Sequence, residues 1–196
     1  MSKLTIHGAP ASRAARCMWM ARELGLEFDN NPVLPANANT PEFRKVNPNG
    51  RVPAVSDGDL TLFESLAINL YLARKHGGPL QPATLQDEAR ATQWSLWAAT
   101  EVEKPAVAML LEGRKPDAER NKKTVADAQQ EVQRPLGVLE GHLTDRSYLL
   151  GPSFTVADLN VAGVVGVLPR AGMDLTPWPK IGAWLEQCLS RPAAKG

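Results

Sequence analysis

The stretch Val52-Pro53-Ala54-Val55-Ser56-Asp57-Gly58-Asp59-Leu60-Thr61-Leu62-Phe63-Glu64-Ser65 holds two short apolar runs, residues 52–55 and 60–62, around Asp57-Gly58-Asp59. Runs of that length flanking an Asp-Gly turn predict a β-hairpin. Ser65, a preferred helix cap, then leads into Leu66, Ala67, Leu70 and Tyr71 on one helical face, with Gly77-Gly78-Pro79 as the stop. Two features here bear on chemistry. A cis bond at Val52-Pro53 would leave the Val52 backbone facing a peptide-like ligand, whereas a trans bond would make a rigid strand entry. The Ser65 hydroxyl and the first-turn N–H groups suit a carboxylate, and Glu64 suits an ammonium, as at the α-amino acid end of a γ-glutamyl group. A capped helix beside a solvated acid is the plainer alternative.

Towards the N-terminus, Leu4 and Ile6 alternate with polar neighbours as in a strand. Ser12 is expected to cap a helix whose apolar face is Ala14, Cys17, Met18, Ala21 and Leu24, ending at Gly25. Residues 28–34 predict a second strand, and Thr40-Pro41 opens a short helix with proline at its favoured first position. The predicted order is β-α-β-α-β-β-α. A serine hydroxyl at a strand-to-helix turn can donate to a thiolate held by the helix N-terminus, or it can serve as a cap alone. Cys17, on the apolar face, reads as core. His7, His76 and His142 are scattered and read as surface or capping residues.

Beyond residues 78–85, which read as a linker, no strand pattern stands out. A helix over 86–112 is expected to bend or break near Pro105, and another over 117–142 contains Pro135. Thr155 and Asp158 have capping-box spacing, with Phe154 and Leu159 placed as a hydrophobic staple. A last amphipathic helix carries Ile181, Trp184, Leu185, Cys188 and Leu189. Two domains follow: 1–77, α/β, and 86–196, all-α. The 196 residues carry 22 Lys plus Arg against 21 Asp plus Glu, so no electrostatic footprint for nucleic acid or an anionic membrane appears. Two cysteines far apart, with no Cys/His cluster, predict neither dithiol redox chemistry nor a metal site. The start lacks the apolar run of a secretory signal and no segment is long enough to span a membrane, so a cytoplasmic protein is expected.

Taken together, Ser12 with Arg16, then residues 47–54 (Asn-Pro-Asn-Gly-Arg-Val-Pro-Ala), then Phe63-Glu64-Ser65-x-Ala67-Ile68-x-x-Tyr71-Leu72, resemble the cytosolic glutathione transferases. Phe154-Thr155-Val156-Ala157-Asp158 and Trp184-Leu185-x-x-Cys188-Leu189-x-Arg191-Pro192 look like that family's C-terminal domain. The resemblance covers nearly the whole chain in the right order, and is greatest to serine-type, phi- and theta-like bacterial members; the turn over residues 8–12 looks most like the phi class and is shared by bacterial relatives of several classes.

The resemblance implies a thioredoxin-like first domain that binds glutathione as co-substrate and a helical second domain that supplies the electrophile pocket. Carried over by position, Ser12 matches the catalytic residue of serine-type classes. Val52, before Pro53, matches the residue that pairs with the cysteinyl backbone, and Glu64 and Ser65 match the γ-glutamyl site. Tyrosine-type and cysteine-type chemistries lack their residue at the first turn. Phi-like sequences often place His and Lys before the second helix, but here residues 37–40 read Asn-Ala-Asn-Thr. Asn39 and Arg51 are the available substitutes for glutathione binding, and weaker binding is expected. The family geometry suggests Arg13, Lys104, Ala108 and Met109 for the electrophile pocket, which no C-terminal tail is expected to close. The implied activity is attack of a glutathione thiolate on small hydrophobic electrophiles; peroxide reduction at the same site, or a non-catalytic ligand-binding or interaction role, are the alternatives. A homodimer packed through the helices beginning at Ser65 and near Gln86 is expected from the same resemblance.

Overall fold

The structure is a computed structural model, and it describes residues 3–196. The chain divides into two compact units, one holding the chain up to Gln81 together with Pro192–Gly196, the other Pro82–Arg191.

The first unit is built on a four-stranded sheet of order β2-β1-β3-β4, formed by β1 (Leu4–His7), β2 (Phe28–Asn31), β3 (Ala54–Asp57) and β4 (Leu60–Phe63). β1 runs parallel to β2 and antiparallel to β3, and β3 and β4 form the expected hairpin, with Ala54 opposite Phe63. β2 is shorter than the predicted 28–34 because Pro32 follows Asn31 and has no N–H to give the ladder. The chain stays tied beyond it, since Ala9 N donates to Val33 O at 2.9 Å. α1 (Ala14–Glu23) and α3 (Ser65–His76) pack against each other, and Cys17, Met20, Ala21, Ile68 and Leu72 lie buried. α2 (Pro41–Arg44) is a single turn, with Thr40 Oγ1 accepting from Phe43 N. Phe43 plugs a small core with Ala38 and Ala54. Tyr71 of α3 donates to Asp57 of β3 at 2.8 Å, which pins the hairpin to the helix.

The second unit is all helical. The helix expected over 86–112, bent or broken near Pro105, is made of α4 (Leu85–Trp97), a π-helical turn (Ala98–Val102) and α5 (Glu103–Gly113). Pro105 offers no N–H to the carbonyl of Glu101 and its ring crowds that position, and the wider turn just before it takes up the strain. α6 (Lys122–His142) begins later than residue 117 because Asn121 is its cap, its Oδ1 accepting from Thr124 N; Pro135 lies inside without ending it. α7 (Val156–Val165) is buried almost all round, as a central bundle helix must be. The short α8 (Val167–Arg170) follows, and α9 (Pro179–Leu189) buries Ile181, Trp184, Leu185 and Cys188. α10 (Pro192–Lys195) packs on α1, which takes this segment out of the helical unit in which the sequence placed it. No described helix is long and apolar enough to cross a membrane.

Candidate active site

Gly8 ends β1 at the point where three segments meet. A Cβ built on it would lie 2.7 Å from Ala14 Cβ, 3.2 Å from Val52 Cβ and 3.4 Å from Ser12 Oγ. The absence of a side chain there lets the start of α1, the Ser12 hydroxyl and the entry to β3 close around the strand end.

Ser12 differs from the simple cap predicted. The capping position of α1 is Arg13, which makes no side-chain cap bond. Ser12 sits one residue earlier, where its Oγ accepts from Ala14 N at 3.1 Å and donates to Ala9 O at 2.7 Å. It is half-buried, at the N-terminal end of a ten-residue helix. Cys17 is fully buried, and burial pushes its thiol pKa up to about 12, so it is no rival source of a thiolate near neutral pH. Arg13 is exposed on the first turn.

The Val52-Pro53 bond is cis. The ladder to β1 begins only at Ala54, and neither the N–H nor the C=O of Val52 has a hydrogen-bond partner among the described residues. Both are open to an extended ligand. At the far end of the hairpin Glu64 holds φ 69° and ψ 106°, a left-handed conformation that a side chain adopts at a cost and that marks functional sites more often than ordinary turns. Glu64, rather than Ser65, occupies the capping position of α3; Ser65 is its first helical residue and is buried. The buried Arg16 reaches from α1 to donate to Ser65 Oγ at 3.4 Å. That leaves the Ser65 hydroxyl proton and the first-turn N–H groups to face a carboxylate, with a guanidinium behind them. Position in the sequence joined Arg16 to Ser12; the structure joins it to Ser65.

Asn39 and Arg51 are exposed. Asn39 Oδ1 accepts from Arg44 Nε at 2.8 Å, and the Arg51 carbonyl accepts from Asn47 Nδ2. Arg44 escaped the reading of the sequence; its signal was a basic side chain within reach of the Asn39 that stands in a usual cation's place. Lys104, Ala108 and Met109 lie on α5, where Lys104 is exposed, Ala108 half-buried and Met109 buried. His7 is not at the surface. It is buried in β1, donating from Nε2 to Ser56 Oγ at 2.9 Å and accepting at Nδ1 from Asn31 Nδ2 at 3.2 Å, and burial lowers its pKa. His142 Nε2 bonds the Leu149 carbonyl at 2.8 Å, which is a capping role. No group of three or more His, Cys, Asp or Glu that could hold a metal occurs among the described residues.

Residues 2–74 match the model of the glutathione S-transferase N-terminal domain, and residues 102–192 match that of the C-terminal domain. The chain is 36% identical to glutathione S-transferase 3 of Zea mays, with 98% of this chain and 92% of the relative covered. It is 31% identical to glutathione S-transferase PARB of Nicotiana tabacum, over 97% and 94% of the two chains. Among solved structures it is similar to the theta class glutathione S-transferase of Xanthomonas axonopodis pv. citri with glutathione bound, with a TM-score of 0.92, 28% identity and coverage of 100% and 96%. A glutathione S-transferase-I bound with lactoylglutathione superposes with a TM-score of 0.86 at 30% identity, over 99% and 97%.

Proposed function

The chain belongs to the glutathione S-transferase family, and from that premise we infer that it is a glutathione transferase of the serine type, with Ser12 as the residue that ionises the thiol. The observation that carries this reading is the meeting at Gly8 of the Ser12 hydroxyl with Val52, whose backbone N–H and C=O have no hydrogen-bond partner among the described residues. A tripeptide whose cysteine pairs with Val52 has its sulfur beside a hydroxyl donor and the start of α1. Its γ-glutamyl end then falls towards Glu64 and Ser65, since β4, which leads into them, pairs with β3 beside Val52.

Binding reorients the Ser12 proton. In the free protein it points to the Ala9 carbonyl, which also accepts from Ser12 N at 2.9 Å. The carbonyl therefore keeps one donor when the hydroxyl turns to the sulfur. A hydrogen bond to the thiolate and the positive helix end both favour the charged form over the thiol. The thiol proton passes to solvent. The sulfur then attacks the electrophilic carbon, a C–S bond forms and the leaving group departs with its bonding pair. Each unit by which the thiol pKa falls from about 8.5 corresponds to about 1.4 kcal/mol of preference for the thiolate. The electrophile is a small hydrophobic molecule, and Lys104, Ala108 and Met109 of α5 are the side chains proposed to take it. The remaining end of glutathione falls towards Asn39 and Arg51. The working form is a cytosolic homodimer.

Calorimetric binding of glutathione, paired with thiolate ultraviolet absorbance across pH, tests the assignment in wild type and Ser12→Ala. The variant is expected to bind glutathione, to lose the lowered thiol pKa, and to turn over a chloronitrobenzene roughly 10²-fold more slowly. Unchanged turnover would remove Ser12 from the mechanism.

A further inference from the structure

Glutathione carries two carboxylates at opposite ends, and the start of α3 accounts for only one. We propose that Arg44 is the specificity-determining residue for the other, its guanidinium aimed by Asn39 so that the outer Nη1/Nη2 edge takes the glycyl carboxylate in a forked pair of hydrogen bonds. This deepens the glutathione reading above and rests on it.

The path of the chain fixes which end is which. From Gly50 the backbone passes through Val52 to Ala54, and Ala54 pairs with Phe63, immediately before Glu64 and Ser65. A peptide lying along Val52 therefore has Ser65 at one end and Gly50 at the other. At the Gly50 end, Asn39 closes in tightly: a Cβ on Gly50 would stand 2.6 Å from Asn39 Oδ1 and 3.1 Å from Asn39 Cα, at a φ of 59°. One extended residue spans about 3.3–3.6 Å, so the terminal carboxylate of a peptide paired at Val52 falls within reach of this bracket.

The bracket is held from several sides. Phe43 is buried and anchors α2; its carbonyl accepts from Val46 N and Asn47 N, each at 2.9 Å. Asn47 is buried, gives Nδ2 to the Arg51 carbonyl and receives Asn49 N at Oδ1. Gly50 N closes the loop on Asn47 O at 2.8 Å. Arg44 N donates to Thr40 O at 3.0 Å, so its backbone is set by the same turn.

The side-chain chemistry then points outward. Arginine has only donors, so the Asn39 atom facing Nε is its amide oxygen, and Asn39 Nδ2 remains a further donor. With Nε committed, the planar guanidinium is oriented, and its opposite edge matches a carboxylate bidentately. Arg44 forms no ion pair with Asp or Glu among the described residues. A pre-aimed guanidinium with no carboxylate of its own, at the open end of the peptide-pairing backbone, has the chemistry to complete a dianionic ligand.

The test compares kcat/KM for glutathione with that for its glycyl monoethyl ester, using a chloronitrobenzene as electrophile. Wild type is expected to prefer free glutathione. In Arg44→Met that preference falls about ten-fold or more, through KM rather than kcat. Arg44→Lys restores it only in part, since an ammonium lacks the fork, and Asn39→Ala lowers it by loosening Arg44. An unchanged preference in Arg44→Met overturns the assignment, as does a loss confined to Arg51→Met. Wild-type inactivity with both thiols would instead overturn the glutathione reading and this inference with it. Should Arg44→Met fail to fold, Asn39→Ala and Arg44→Lys decide by the same ratio.

Discussion

Gly8 carries the tightest steric condition at the thiol end of the site. Its φ of 143° is one that side chains rarely adopt, and the 2.7 Å approach to Ala14 Cβ involves a helix start that cannot swing aside. Gly8→Ala is therefore expected to cost about 3 kcal/mol and to displace Ser12, read as a lower unfolding midpoint together with lost glutathione binding. His7 beside it makes the fold pH-sensitive. Its neutral ring accepts from Asn31 and donates to Ser56, and burial holds its pKa below the usual value near 6.5. The stability it contributes is fully present above about 6.5 and is lost as pH falls through the lower folded value. Urea unfolding at neutral pH and near pH 5 should show wild type losing more stability than His7→Gln. Neither residue stood out in the sequence. A lone histidine in a four-residue strand has no periodicity to say which face it takes, and the demand on Gly8 arises from segments that meet only after folding.

Elements repeat that division between local and non-local cause. The hairpin, the α2 cap at Thr40 and the capping box at Thr155 were legible because their partners lie close along the chain, within about ten residues for the hairpin and three for the caps. The two prolines were legible as well: the helix expected to bend or break near Pro105 is interrupted by a π-helical turn just before it, and Pro135 sits inside α6 as expected. Arg16 and Arg44 were missed as site residues because each acts across a tertiary contact, on Ser65 and on Asn39. The strongest tertiary cap lies in the second unit. Asp158 Oδ1 accepts from Leu149 N at 2.8 Å and Trp184 Nε1 at 3.1 Å, and Oδ2 accepts from Thr155 N and Oγ1. Burial raises its pKa against the pull of those four donors. In Asp158→Asn an amide group faces donors, so a loss of about 2–4 kcal/mol is expected in chemical denaturation. Glu140 ties α6 to the first turn of α9 by accepting from Lys180 N and Ile181 N at 3.0 and 2.9 Å. Glu140→Ala should cost about 1 kcal/mol, a smaller loss because the freed N–H groups near the surface regain water.

At the scale of the whole molecule, the question is what covers the apolar side chains that each unit leaves exposed. In the first unit Leu60 and Phe63 stand out from β4, an edge strand with one side unpaired. In the second, Leu85 and Leu96 of α4 are 77% and 61% exposed. Apolar side chains of that size, grouped on an edge strand and on one helix, are the kind of surface that association buries. Each unit buries a core of its own, with Ile6, Met20, Ile68 and Leu72 in the first and Leu136, Leu139, Leu159 and Ile181 in the second. A homodimer is thus expected to be separable from the fold. Light scattering on a size-exclusion peak should return twice the mass of one chain for the wild type. Leu96→Glu and Phe63→Glu, singly or together, should move the peak to the mass of one chain while leaving the unfolding transition of each unit in place. A wild-type peak at the mass of a single chain would leave these side chains exposed in solution and withdraw the dimer. If the peak is a dimer that both variants leave intact, the interface lies on other surfaces, and the edge of β4 and the exposed side of α4 remain free.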